Sequence, residues 1–323
     1  MRHILAAAAV ATLALGISAG AVAADESTTG TIRFVVGVPP GGALDPYARI
    51  IAERMKQELG QNIIVENKPG ANGNISAQTV VQAPADGLSV WVDTQSMTEI
   101  NPSAFSRLSW KISDFTPLIK GVEAPLILVT VPSVPAKTLS ELTAWAKANS
   151  GKVNFGSFSA GTPSHFLGFQ LNEKFRLDMT HVPFRGSGPQ MTALLSGTVP
   201  LGFAQIAGTL PHVADGKLRA VATTSAKRFR LTPDVPTFAE LGHPELTTSI
   251  WFGLLIHSGT PPAIRERLLK AAKAAHLDPE VKKKLEAVGF DVPAITGPAF
   301  GQQIAEQTER WRKLVLATGF KAD

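Results

Sequence analysis

Residues 31–70 read TIRFVVGVPPGGALDPYARIIAERMKQELGQNIIVENKPG. They pass from a β-rich run through a glycine-containing turn into an amphipathic helix, then into a second strand. Thr31 to Val38 carries the β-branched and aromatic residues of a strand. From about Asp45 to Leu59, Ala48, Ile51, Ala52, Met55 and Leu59 form one apolar stripe, while Arg49, Glu53, Arg54 and Lys56 reach solvent, as expected of a helix laid on a sheet. A strand at Ile63 to Glu66, a helix from about Gly73 to Ala83 and a strand at Leu88 to Val92 continue the pattern. This is a βαβαβ opening, because parallel strands need such crossovers.

Working outward, the alternation restarts after a strand at Ile127 to Val131. Helices are expected near Leu139 to Ala148 and Pro163 to Phe175, with strands near Val153 to Phe155, His181 to Pro183, Pro200 to Ala204 and Leu218 to Ala222. A Pro/Thr-rich stretch, Leu231 to Thr237, precedes an apolar strand at Ile250 to Ile256. Three helices close the chain, near Ala263 to Ala275, Glu280 to Val288 and Pro298 to Leu316. Two α/β lobes follow, either consecutive or arranged so that the chain crosses near residue 130 and returns near residue 248. Periodicity does not choose between them, but clefts at the carboxyl ends of strands are where α/β proteins bind ligands.

A length of 323 residues with 44% hydrophobic and 18% charged residues excludes wholesale disorder. The absence of cysteine excludes disulfide scaffolds, Cys-ligated metals and thiol nucleophiles. The net charge of +5 has no dense basic run, so nucleic acid is not an expected partner. Arg2 and His3, the apolar stretch Ile4 to Ile17 and the Ala21-Val22-Ala23 pattern read as a secretory signal over residues 1–24. With no lipobox cysteine and no twin arginine, the expected product is a soluble periplasmic protein.

Four loops could carry chemistry. Val38 to Asp45 runs from a strand end into a helix, and its paired glycines and helix N-terminus suit an anion; Asp45 is equally a candidate N-cap. Gly37 to Gly42 has the glycine spacing of a nucleotide-binding P-loop, but Ala43 and Leu44 stand where Lys and Ser/Thr are required. Gly156 to His165, GSFSAGTPSH, is a Ser/Gly loop leading into a helix. Its match to a nucleophile elbow fails because Ser157 replaces the first glycine of G-x-S-x-G, so Ser157, Gly161 and Thr162 suit hydrogen bonding to a carboxylate better, with His165 as a support. Phe184-Arg185-Gly186 offers an aromatic face beside a guanidinium, and Asp93 to Ser96 supplies further polar groups. The histidines lack metal-ligand spacing, and no cofactor is expected.

The stretches PPGGALDPYAR, LGQNIIVENKPGANGNISAQ and ADGLSV, with SDFTPL, GSFSAGTPSH, HVPFRGSGP, TTSAKR and TPDVPTFAELG, resemble the Bug family of periplasmic substrate-binding proteins of tripartite tricarboxylate transporters. The likeness covers nearly the whole chain after the signal. It implies a two-domain periplasmic-binding-protein-like fold of type II, with a hinged interdomain cleft. The expected domains are residues 25–129 with 248–323, and residues 130–247. It further implies that a carboxylate is held by Pro40, Gly41, Gly42 and Asp45 on one side and by Ser157, Gly161, Thr162 and His165 on the other, with Ser96, Phe184, Arg185 and Gly186 lining the variable part. Pro200 departs from the family pattern, standing where an aspartate is usual. The implied function is capture of a small organic carboxylate and its delivery, by a monomer, to the membrane subunits of such a transporter. The alternatives are a ligand-sensing subunit working with a membrane sensor, and an exported hydrolase using Ser159.

Overall fold

The computed structural model describes residues 29–322, so the expected signal segment lies outside the described residues. In chain order the first elements are β1 (Ile32–Val36), α1 (Leu44–Leu59), β2 (Ile63–Asn67), α2 (Asn74–Val81), β3 (Ser89–Thr94), a helical turn at Ser96–Ile100 continuing into α3 (Asn101–Ala104), and β4 (Phe115–Thr130). Then come α4 (Leu139–Ala148), β5 (Val153–Ser157), α5 (Pro163–Phe175), β6 (Met179–Pro183), α6 (Ser187–Leu195), β7 (Leu201–Gln205), α7 (Ile206–Ala214) and β8 (Arg219–Thr223). β9 (Ser249–His257), α8 (Pro262–Leu277), α9 (Pro279–Ala287), β10 (Ile295–Thr296) and α10 (Gly297–Thr318) complete the fold.

The strands join in one ten-stranded sheet with the order β2-β1-β3-β9-β4-β7-β5-β6, β8 and β10 pairing with β4. β1 runs parallel to both β2 and β3, and β5 runs parallel to β6 and β7. These are the two α/β units expected from the alternation. β4 serves both. Its Phe115 to Pro125 half pairs antiparallel with β9, while Leu126 to Thr130 pairs antiparallel with β7 and β8. The chain thus leaves the first unit along β4 and returns along β9, the out-and-back arrangement.

The apolar stripe of α1 is buried on the sheet: Ala48, Ile51, Ala52 and Met55 are all inside. Gly60, in a left-handed conformation at φ 62°, ends the helix as glycine favours. Thr138 accepts from the Glu141 N–H while the Glu141 carboxylate accepts from the Thr138 N–H, a capping box that starts α4 where the sequence predicts it. Pro163 occupies the first turn of α5, where its missing N–H costs nothing. Asp45 differs from one expectation. The helix begins at Leu44 after Ala43, so Asp45 lies inside the first turn and is not the N-cap.

Candidate functional site

Parallel strands place the loops at their carboxyl ends, and the helices that follow begin there. Loops from both α/β units therefore meet around one cavity of about 720 Å³, within the range of small-molecule sites. The first residues of α1 (Leu44, preceded by Gly41, Gly42 and Ala43), Thr162 ahead of α5, Gly186 and Ser187 at the start of α6, and Ser96 at the start of the turn after β3 all line it. Helix N-termini leave main-chain N–H groups without intrahelical acceptors and carry partial positive charge, so their convergence favours an anion. The rest of the wall is largely apolar, with Phe158, Phe184, Met97, Trp251 and Phe252. Arg185 is the one charged side chain in the lining; it is exposed and makes no ion pair among the described residues.

The approach of the loops depends on Gly37. A Cβ there would lie 2.6 Å from Ser76 Oγ and 2.8 Å from Gly73 Cα, so only a glycine lets the end of β1 meet the Pro69 to Gly73 loop. Ser76 is itself fixed, donating to Gly73 O at 2.6 Å and accepting from Trp91 Nε1 at 2.9 Å.

Eight of the twelve expected site residues line this cavity: Pro40, Gly41, Gly42, Ser96, Thr162, Phe184, Arg185 and Gly186. The other four, Asp45, Ser157, Gly161 and His165, are absent from the lining and held by internal partners. Asp45 accepts from Arg49 Nη2 at 3.0 Å and Asn67 Nδ2 at 2.9 Å. Burial pushes its carboxyl up, but the bonds from Arg49 and Asn67, the Arg49 charge and the Gly41 N–H outweigh it and hold the group below the usual carboxylate range. It fixes the glycine loop from behind.

Ser157 is fully buried; its hydroxyl donates to Ser159 O at 3.0 Å and meets His181 Nε2 at 2.6 Å. Since Ser157 gives its proton to Ser159, His181 supplies the N–H in that pair. His165 stacks on His181 with centroids 3.9 Å apart, and its Nδ1 accepts from the Gly161 N–H at 3.3 Å. Burial pushes both imidazoles down, His165 to about 4 and His181 to about 3, the latter also through its neighbour, so both are neutral at pH 7. Thr162 Oγ1 donates to Ser159 O at 2.6 Å, and Ser164 Oγ accepts from the Phe158 N–H at 3.2 Å. These bonds shape the loop that presents Phe158, Ser159 and Thr162 to the cavity. The Ser–His contact present here involves the buried Ser157 and leaves Ser159 without an imidazole partner.

Sequence reasoning did not single out Asn72, Trp251, Phe252 or Gln205, all of which line the cavity. Asn72 lies in a Pro/Gly-rich loop that could have drawn notice; Trp251 and Phe252 sit in an apolar run that reads as core. Pro200, where the resemblance implies an aspartate, precedes β7 and is outside the lining.

A second cavity, also about 720 Å³, lies across the wall formed by Gln95 and Trp251, which line both. Its charged side chains largely satisfy one another: Lys120 pairs with Glu123 at 2.5 Å and Arg230 with Asp291 at 3.3 Å, and Arg310 donates to Thr247 O at 2.9 Å. The first cavity is the better candidate because helix starts from both units line it and its one charged side chain makes no ion pair among the described residues.

The model of the tripartite tricarboxylate transporter family receptor matches residues 47–320. The chain belongs to this family. Protein BugT of Bordetella pertussis is 33% identical over 325 residues, covering 99% of each chain. The structure of the periplasmic binding protein BugD is 29% identical with a TM-score of 0.82, covering 90% of this chain and 98% of that one. MatC from Rhodopseudomonas palustris, solved with bound malate, is 31% identical with a TM-score of 0.80 over 88% of this chain and 98% of its own. The receptor family and its two-domain periplasmic-binding-protein fold agree with the resemblance carried by the loops.

Proposed function

We propose that this receptor is periplasmic, closes its two lobes around a small organic carboxylate, and delivers it to the membrane subunits of a tripartite tricarboxylate-type transporter. The observation that carries the reading is the convergence of several helix N-termini, from both units, on a cavity with no acidic side chain in its lining. Malate bound to MatC supports the class of ligand. Micromolar binding needs about 8 kcal/mol, and each hydrogen bond to a charged group contributes roughly 1.5–3 kcal/mol before ordering costs, so a few main-chain donors suffice.

Hinge motion belongs to the same proposal. β4 changes partners between Pro125 and Leu126, a few residues before the boundary expected at 129/130, and the return passes Thr248 and Ser249. Thr224 ties the two crossings, its hydroxyl accepting from the Leu126 N–H at 2.9 Å and donating to Thr248 O at 2.7 Å. Closure follows where the ligand contacts both lobes better in the closed form. No helix among the described residues is long and apolar enough to cross a membrane.

The test is thermal unfolding of the mature protein with malate, adipate and other small acids, against the matching amides. A ligand that binds only the folded state raises the apparent Tm. Acids that raise it where amides do not, with a smaller rise in Thr162→Ala, are expected. Protein shown to be empty by mass spectrometry that responds to no acid would sink the reading.

A further inference from the structure

The first unit reaches over to the second at a place apart from the crossing strands. Ile100, Ala104, Phe166, Trp311 and Val315 form a buried cluster separate from the main core, with Phe105, Leu314 and Phe320 packed against it. Ile100 and Ala104 follow β3, while Trp311 and Val315 belong to α10; Phe166 alone comes from α5 of the second unit. The Phe166 ring lies 5.9 Å from Trp311 and 5.7 Å, edge-on, from Phe320. Phe320 also meets the edge of His165 at 5.0 Å.

These rings sit directly behind the Ser/Gly loop. Gly161 is left-handed at φ +70°, and a Cβ built on it would lie 3.1 Å from a Phe320 ring carbon. On its other side the Gly161 N–H is held by His165. The turn that presents Thr162 to the cavity is therefore gripped by its own helix and by a phenyl ring from the other unit. The tail carrying that ring is anchored at home: Gly319 ends α10 in a left-handed conformation, Phe320 N donates to Thr318 Oγ1 at 3.1 Å, and Ala322 N donates to Ala104 O at 2.8 Å.

We propose that Phe320, backed by Trp311, is a latch between the lobes and a positioning residue for the Gly161–Thr162 turn, favouring juxtaposed lobes already in ligand-free protein, so that ligand has less of the closure left to drive. The role in affinity rests on the reading of the cavity as the ligand site; the role in closure does not. Separation of the lobes must part Phe166 from Trp311 and Phe320, so the latch raises the fraction of binding-competent molecules and with it the apparent affinity.

The chain contains no cysteine, so a pair introduced at the exposed Glu53 and Lys152, one on each unit, can be spin-labelled cleanly. In ligand-free protein, Phe320→Ala is expected to move a substantial share of the interlobe distance distribution to a second, open population, while Phe320→Leu, which keeps apolar volume, stays near the parent. Titration with adipate or malate, whichever raises the parent's Tm, is expected to give a three- to tenfold weaker Kd for Phe320→Ala. A Phe320→Ala distance distribution identical to the parent's overturns the latch. If neither acid binds the parent, that result falls on the cavity reading alone, and the distance measurement still decides the latch.

Discussion

The two cavities flanking Gln95 and Trp251 have the same volume and opposite chemistry. The one behind the crossing strands is lined with charged side chains that are bonded mainly to each other or to nearby carbonyls. The one in front, at the carboxyl ends of the parallel strands, has a single charged side chain and several helix starts. Size does not separate a binding site from a packing space. The distinction lies in whether the charged groups of the wall are already paired within the protein, because a group so bonded has little left to repay a ligand for losing water.

The largest expected effect comes from closing the gap on which the front cavity depends. Gly37→Val places a branched side chain where a single carbon already meets Gly73 and Ser76. Relief requires main-chain movement, which puts the cost at the upper end of the roughly 1–3 kcal/mol typical of overpacking or above it. Urea unfolding is expected to show that loss, and the surviving folded fraction should bind acids far more weakly. Wild-type stability and affinity in Gly37→Val would break the account of how the two loops meet.

The wall between the cavities offers the next test. Glu99, fully buried and lining the rear cavity, accepts from Trp251 Nε1 at 2.9 Å. Burial pushes its carboxyl up to about 8, against the bonds from Trp251 and Gln95 and the charge of Lys120, and burial likewise raises Asp93. A carboxyl protonated in the folded state and ionised in the unfolded one loses stability as pH rises, here from about 4.5 to 8. The buried imidazoles act at the other end: His165, His181 and His276 are lowered to about 4, 3 and 4, in each case first by burial, so their burial costs nothing above 6.5 and destabilises progressively below it. Glu99→Gln keeps an acceptor for Trp251 and removes the alkaline loss. At pH 8 it is expected to be more stable than wild type by about 2–4 kcal/mol, with little difference at pH 5. Parallel stability curves for the two proteins from pH 5 to 8.5 would show that Glu99 is ionised in the fold.

What the sequence made legible was local. α4 and α5 occur over Leu139–Ala148 and Pro163–Phe175 as the pattern predicts, because capping and helical period lie within a few residues. For β4 the pattern predicts a strand only from Ile127 onward, whereas it begins at Phe115. Pro117, Gly121 and Pro125 read as breakers, yet the strand runs through them with register shifts against β9 between Pro117 and Ile119 and between Lys120 and Val122. A partner more than a hundred residues away overrides local propensity. The same limit governs the site. The Gly/Ser loops announce themselves, but Asp45, Ser157 and His165 face partners at Asn67, His181 and Phe320 that no spacing rule connects to them. An apolar run such as β9 cannot reveal that Trp251 and Phe252 border a cavity as well as a core.

The smallest expected effect sharpens the comparison most directly, since it removes one positive charge from each cavity. Arg185 and Lys227 are both exposed, and neither pairs with a carboxylate among the described residues; one lines the front cavity and the other the rear. If an acid binds in front, Arg185→Gln loses an attraction that exposed ion pairs set at up to roughly 1 kcal/mol, a weakening of up to about fivefold in Kd. The loss should shrink in high salt, because an exposed charge is screened within a Debye length of about 8 Å at physiological ionic strength. Lys227→Gln changes the net charge by the same amount, so any long-range influence on the ligand is matched. Its effect on Kd is expected to be smaller than that of Arg185→Gln, and neither change should alter the ligand-free stability by more than the roughly 0.5 kcal/mol usual for surface substitutions. Equal weakening by the two variants would mean that net charge alone attracts the acid. A larger effect of Lys227→Gln would move the ligand to the rear cavity, and the helix starts around the front one would then have to be explained without a guest.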